Sequence, residues 1–414
     1  MVGTEAWGGA MSEIAVEGPR RPAEPWWSWL ILSGTIGERW EASRGFTTGF
    51  NYIRISLATA VIFAHCHAVT FGQGHHIFAR TAATSHGATT VLSPPLIQPL
   101  AWAVLPAFFA LSGFLVAASL MRSGTTEFLL LRVLRIVPAL AVETFLAALL
   151  MGPLVTEVPL RDYFSSPEFW SYPRNIIGDI HYLLPGVFVH NPWPRIVNSQ
   201  LWTIPAELRC YEVLIVVSIL AALLSCVGVK RERSIVVLST LAAIAYFAAL
   251  QIFEPAQHWS DGVSTVGVAT LLLAFLVGVV AYNFRRFIPL GPVLFVASCA
   301  ATYVLLWNGN FIYLATIPAT YATVYIGLMN IPKTFVTATG DYSYGVYLYG
   351  FSLQQLIAYL LPHNQSSLLN FGLGLTLALI CAAFSWHFVE SQILGHKKKI
   401  IVGVLSAVPW LKRI

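Results

Sequence analysis

Charge is what this chain has least of. Only 10% of its 414 residues are Asp, Glu, Lys or Arg, where a soluble domain carries roughly a quarter. A water-facing surface of ordinary polarity cannot be built from so few, which excludes a soluble globular fold. Cysteine is sparse as well. Cys66, Cys210, Cys226, Cys299 and Cys381 all lie in apolar stretches without CxxC spacing. That indicates neither a disulfide framework nor a zinc site, and the thiols read as small buried hydrophobes. No metal and no permanently bound cofactor are expected. No fixed-period repeat occurs. The first 45 residues do not read as a signal peptide, because acidic residues precede the basic ones and no early apolar core follows.

Apolar residues are plentiful: 57% of the chain is hydrophobic and the mean hydropathy is +0.69. Runs long enough to cross a bilayer, about 20 residues each, recur near 52–71, 97–120, 128–150, 201–228, 234–252, 263–282, 289–307, 311–329, 343–361 and 368–389. The expected fold is all-α and polytopic, about ten transmembrane helices with both termini cytoplasmic. The positive-inside rule fits that orientation: of the 24 basic residues, only Arg80, Arg161, Arg174 and Arg195 fall on outer segments, and Arg209 lies within a span. Three regions follow. Residues 1–45 form a cytoplasmic tail with an interfacial segment around Trp26, Trp27 and Trp29. Residues 46–394 form the transmembrane domain, and 395–414 a basic cytoplasmic tail. Two outer loops exceed a turn, one near 72–96 with His75, His76 and His86, the other near 152–200. Flat aromatic side chains suit the apolar faces of sugar rings, so Trp170, Trp193 and Trp202 are candidate acceptor contacts. Ordinary interfacial aromatics are the alternative.

An ionisable group at the bilayer centre costs on the order of 2.5 kcal/mol, so each one is a candidate functional residue. The spans hold His65, His67, Glu143, Glu207, Arg209 and Glu212, with Arg54, Arg132, Arg135, Asp341 and Glu390 near their ends. Arg54 and His65 are eleven residues apart, so they share a helix face about 16 Å apart along the axis; His67 points about 200° away. Histidine suits general-base work near neutral pH, and a packed, hydrogen-bonded core histidine is the alternative. Glu207 and His65 each lie six residues inside the outer end of their spans, which places them at a common depth, where the carboxylate would orient the imidazole. Arg209 and Glu212, three apart, are expected to neutralise each other. Arg132 and Arg135, at i and i+3 near a helix start, form a ready phosphate site. Glu143 has no assigned role.

Six segments, taken in order over 50–392, resemble the acyltransferase-3 family of membrane acyltransferases. The arginine–ten residues–histidine spacing of Arg54 to His65 is one. Phe108-Phe109-Ala110-Leu111-Ser112-Gly113-Phe114-Leu115 is similar to the family's FFxxSGFL, and Arg132 through Pro138 to its RxxRIxP. Leu201-Trp202-Thr203-Ile204-Pro205-Ala206-Glu207 with Tyr211 is similar to LWSLxxE…Y. Ser343-Tyr344-Gly345-Val346-Tyr347-Leu348 and Phe388-Val389-Glu390 resemble the last two helices. Two departures stand out. Gly350 occupies a position where many members carry histidine, so no catalytic role falls there. Thr203-Ile204-Pro205 replaces a more usual Ser-Leu-Ser. The hydrolase-like domain that some members append is not expected.

The resemblance implies transfer of an acyl group, most often acetyl from acetyl-CoA, to a sugar hydroxyl of a cell-envelope or exported polysaccharide, in a bacterial inner membrane. The donor would come from the cytoplasm, the acceptor would be a glycan or lipid-linked glycan, and no nucleic acid would be involved. His65 would take the hydroxyl proton and Glu207 would orient His65. Arg54, Arg132 and Arg135 would hold the donor, and Ser112 would line its channel or bond the developing oxyanion. A transporter or flippase using the intramembrane charges as a relay, and an acyltransferase for a small lipophilic acceptor, are the alternatives.

Overall fold

The computed structural model describes residues 32–45, 47–72, 82–83, 89–90, 96–253, 266–307, 311–334 and 340–407. Trp26, Trp27, Trp29, His75, His76 and His86 lie outside them. Among the described residues the regular secondary structure is helical, apart from a two-residue antiparallel pair of Ala82–Ala83 with Thr89–Thr90.

Six helical stretches are long and apolar enough to cross a membrane. They are Gly49–Phe71 (α2), Gln98–Arg122 (α3), Thr125–Val155, Ser199–Cys226, Arg231–Phe253 (α9) and Ser367–Gly395. The third comprises Thr125–Leu146 (α4), a π-helical turn and Gly152–Val155 (α5). The fourth opens with a 3₁₀ turn, Ser199–Trp202, and continues as Thr203–Cys226 (α8). The last comprises Ser367–Ser385 (α14), a π turn and Ser391–Gly395 (α15). Shorter helices occupy the remaining apolar runs: Val268–Asn283 (α10), Pro292–Trp307 (α11), Ile312–Gly327 (α12) and Ser343–Leu360 (α13). Leu160–Ser165 (α6) and Pro167–Ser171 (α7) lie between α5 and α8.

Helix α3 is the axis of the bundle: 61% of its apolar window is buried, against 22% for α9 and for the last stretch. The outer helices show why. Val237, Leu241 and Ile244 of α9 are exposed at helical spacing, an apolar stripe turned to lipid rather than water. Helix α3 meets α10 where both lack a side chain. A Cβ on Gly113 would lie 2.0 Å from the Phe275 carbonyl oxygen, and one on Gly278 2.1 Å from that of Ala110. Small residues let backbones approach where hydrophobic burial cannot drive association.

Both ends of the chain differ from the expected tails. Ile36–Ala42 (α1) starts with a capping box, Thr35 and Glu38 bonding each other's backbone N–H. It docks on the α10–α11 link through Ile36 N–H to the Ile288 carbonyl, 3.1 Å, and Gly37 N–H to that of Arg285, 2.7 Å. Trp40 is buried edge-on against Phe50, Phe114 and Tyr282. At the other end, Lys397–Ala407 forms a helix (α16) that packs on α4 and buries Ile401. Spaced apolar residues hidden among the polar ones turn each segment into part of the bundle.

The long connection 156–202 is a packed cap. Tyr163, Phe169, Tyr172, Leu184 and Phe188 form its own core. Gln355 of α13 fastens it, bonding the carbonyls of Trp193 and Ile196 at 2.7 Å each, while Asn191 donates back to the Gln355 carbonyl at 2.8 Å.

Gly113→Ala and Gly278→Ala are each expected to destabilise the protein by about 1–3 kcal/mol through overpacking. Gly372→Ala, where a Cβ meets nothing within 4 Å, is the comparison. Thermal unfolding in detergent should show both helix-contact variants below wild type and Gly372→Ala level with it; equal melting of all four would refute the contact.

Candidate active site

Asp341, two residues before α13, gathers two of the three candidate donor arginines. One of its oxygens accepts from Arg54 of α2 at 2.7 Å and from Arg135 of α4 at 2.6 Å. The other accepts from the Ser343 hydroxyl at 2.6 Å. Burial opposes ionisation here, but the Arg135 and Arg54 guanidiniums and the Ser343 bonds hold the Asp341 carboxyl well below the usual carboxylate range. Arg135 also lies 3.7 Å from Glu390 and 5.9 Å from the centres of the Tyr344 and Trp386 rings. Arg132 differs. Its guanidinium reaches only the Ser119 hydroxyl, 3.5 Å, and the Phe128 ring, 5.7 Å, and no carboxylate pairs with it among the described residues. All three arginines line a cavity of about 1100 Å³. The sequence marks them as equivalent; the structure leaves Arg132 as the one uncommitted to a carboxylate.

Glu207 lies with this cluster, not with His65. Thr125 of α4 and Ser218 of α8 bond at 2.7 Å and set the register of the two helices. Eleven residues up α8 is Glu207 and ten up α4 is Arg135, rises of about 16 and 15 Å. Arg132 and Arg135 are accordingly within electrostatic reach of Glu207. Its carboxylate accepts a short hydrogen bond from Tyr211, and the Ser112 hydroxyl sits beside the same phenol. The expected Glu207–His65 pairing is not formed, because α8 begins among other helices. The chain before it dives into the bundle: Asn198 donates to Glu143 at 2.7 Å and to the Leu348 carbonyl, in the second turn of α13, at 2.8 Å. Thr203 and the Gln200 carbonyl then meet the Tyr347 hydroxyl at 2.5 and 3.1 Å.

His65 stands about 16 Å farther along α2 than Arg54. Its Nδ1 is 2.8 Å from the Val61 carbonyl. Only a donor nitrogen satisfies that oxygen, so Nε2 is the acceptor nitrogen. The ring stacks on Trp193 of the cap, centroids 6.3 Å apart, and meets Phe351 edge-on at 5.4 Å. Among the bonds of the described residues, none joins it to Glu207, which bonds Tyr211 instead. Of the three candidate acceptor tryptophans, Trp193 is the one packed on His65. Trp202 is half-buried, and Trp170 is 68% exposed on the outside of the cap, donating to the Phe164 carbonyl.

Gly350 is filled from the side by α2: a Cβ there would lie 2.6 Å from Ile62 Cγ1. Close by, the buried Gln200 amide has no hydrogen-bond partner among the described residues. Sequence reasoning missed it because glutamine carries no charge to mark it. Glu143 holds the end of the cap through Asn198 and is buried. Arg209 and Glu212 are both exposed and form no ion pair with each other among the described residues, so the expected neutralisation on α8 is not seen.

Residues 47–387 match the family described as an acyltransferase domain. An O-acetyl transferase of Shigella phage Sf6 is 25% identical over 318 residues, covering 69% of this chain and 83% of that protein. No solved structure matches significantly.

The arginine–aspartate bridge makes a pH prediction. A carboxyl whose folded pKa is depressed stabilises fully above its unfolded value, about 3.9, and the gain is lost as pH falls through the lower folded value. Wild type should therefore melt at progressively lower temperature as pH drops below about 5, and Asp341→Asn should melt lower at neutral pH with a flatter acid slope. Parallel melting curves for the two proteins would refute the bridge.

Proposed function

Because this chain belongs to the acyltransferase-3 family and is a membrane O-acyltransferase, we propose that it moves acetyl from cytoplasmic acetyl-CoA to a hydroxyl of an envelope or exported glycan. The observation that carries this reading is the alignment of the arginine-lined cavity with His65, about three turns away on the same face of α2. A donor with an anionic head and a long thioester arm suits that layout, its phosphates at the arginines and its acyl carbon by the histidine. The name of the phage relative, an O-acetyl transferase, favours acetyl as the group moved.

In the proposed reaction the sugar hydroxyl enters beneath the cap and gives its proton to Nε2 of His65 as its oxygen attacks the thioester carbonyl. The tetrahedral intermediate collapses, the C–S bond breaks, and the departing thiolate takes the proton from the imidazolium. Products are the O-acetyl ester and free CoA. Trp193 stacks on His65 and holds its ring plane, and with Trp170 and Trp202 it offers aromatic surface to the acceptor. Arg132 meets the donor phosphates directly, while Arg54 and Arg135, bridged by Asp341, keep the cavity open and cationic. Glu207, Tyr211 and Ser112 stand together at the level of the arginines, so Glu207 acts through Tyr211 on the thioester arm. We place the enzyme in a bacterial inner membrane with ten crossings, both termini cytoplasmic, and the cap on the far side where envelope glycans are completed.

Membranes holding wild type or His65→Ala, supplied with radiolabelled acetyl-CoA, test the reading through label entering the polysaccharide fraction. Wild type should transfer label, and loss of the base should cut the rate about 10²–10⁴-fold. Equal labelling would remove His65 from the chemistry, and no labelling by wild type would count against acetyl or the glycan. Arg132→Ala should raise the donor KM by about tenfold, the worth of one charge-assisted hydrogen bond; an unchanged KM would take Arg132 out of donor binding.

A further inference from the structure

The cavity has a wall that the donor reading does not use. Leu394, Lys397, Lys398, Ile401, Val402 and Leu405 line it. Leu394 belongs to α15; Lys397, Lys398, Ile401, Val402 and Leu405, spaced one, four, five and eight residues from the first, lie on one face of a helix, so α16 presents a stripe to the cavity. Lys399, next in sequence, is about 100° round from Lys398 and off that stripe. Three adjacent lysines are thus sorted by geometry into two that face the cavity and one that does not.

Charge says what this wall is for. Arg54, Arg122, Arg132, Arg135, Lys333, Lys397 and Lys398 line the cavity, and Glu127 is its lining carboxylate. Asp341 pairs with Arg54 and Arg135. The other five cations have no carboxylate partner among the described residues. Cations that converge on one space without counter-charges repel one another, and an anion carrying several charges relieves this. At about 1100 Å³ the cavity lies just above the small-molecule range of roughly 300–1,000 Å³, larger than a lone phosphate needs. The inner end is set by Arg135, which lies about 15 Å above the start of α4. Arg122, at the end of α3, and the lysines of α16 stand at the open end.

We propose that Lys397 and Lys398 form a second phosphate-binding wall, which holds the phosphorylated nucleotide end of the acyl donor at the cavity mouth while its arm runs inward past Arg132. This rests on acyl-CoA being the donor. The flexible ammonium groups act as point charges on phosphate, and the buried Ile401 anchors the helix that carries them. The same chemistry would also draw an anionic lipid headgroup to lysines beside a membrane; such a lipid would use Lys399 as readily as its neighbours.

The test is equilibrium binding of CoA, adenosine 3′,5′-bisphosphate and pantetheine to the full-length protein in nanodiscs of phosphatidylcholine, repeated with part of the lipid replaced by phosphatidylglycerol. In phosphatidylcholine, Lys397→Gln/Lys398→Gln should weaken CoA and the bisphosphate about five- to tenfold, the sum of two exposed charge contacts. Pantetheine, lacking phosphate, should bind all forms alike. Lys399→Gln should match wild type, and Lys397→Arg/Lys398→Arg should restore binding. Equal CoA affinity for wild type and the double glutamine variant would overturn the phosphate wall and leave the donor reading intact. Equal weakening by Lys399→Gln would reduce the effect to general charge at this end, which also overturns the wall. An effect confined to phosphatidylglycerol discs would assign the lysines to lipid. Wild type that binds the bisphosphate but not CoA would overturn the donor reading and the inference that rests on it.

Discussion

One carboxylate holds the working end of this bundle together. Asp341 joins the start of α13 to Arg54 on α2 and Arg135 on α4, and Arg135 extends the link to Glu390 in the last apolar stretch. In a low-dielectric surrounding, two guanidiniums could not lie so near each other without a shared anion. Arg132 stays outside this bridge, since Asp341 and Glu390 are engaged by Arg54 and Arg135. Structural charge and binding charge are therefore divided among residues that the sequence presents as a single motif.

The cap formed by residues 156–202 works in the other direction. Gln355 and Asn191 fasten it to α13, and Asn198 carries the chain down to Glu143 and the Leu348 carbonyl. Backbone that is not helical survives at such depth only where the protein itself satisfies it, and these amides do so. The dive has two consequences for the site. It brings Trp193 onto His65, and it starts α8 low enough to put Glu207 beside the arginines. The buried Glu143, unexplained from sequence, is the peg on which this arrangement hangs.

Much of the fold was legible because lipid imposes a simple rule. Long apolar runs had to be helices, and each expected run falls on a helix, six of them long and apolar enough to cross a membrane. The Arg54–His65 relation was equally readable, since both sit on one unbroken helix whose pitch converts spacing into direction. Reasoning failed where it had to compare two helices. His65 and Glu207 were matched by counting inward from span ends, but the side chains Glu207 meets are set by how α8 packs on α4, which such counting does not contain. The tails misled for a related reason: their composition is polar, but a capping box with Ile36 and Trp40 at one end, and Ile401 at the other, is enough to dock a short helix.

By itself the sequence determined that the chain is a helical membrane protein, which family it resembles, and which ionisable residues stand inside it. Composition, periodicity and local spacing are sufficient for that, because they act within one segment. Only the tertiary structure decided which charges neutralise each other, that Glu207 keeps company with Arg132, Tyr211 and Ser112 and not with His65, and that two of three adjacent lysines face a cavity. Asp341 is separated by 287 residues from Arg54 and by 206 from Arg135. Pairing over such distances depends on how helices are set against one another in depth and rotation, which packing fixes and local pattern does not record.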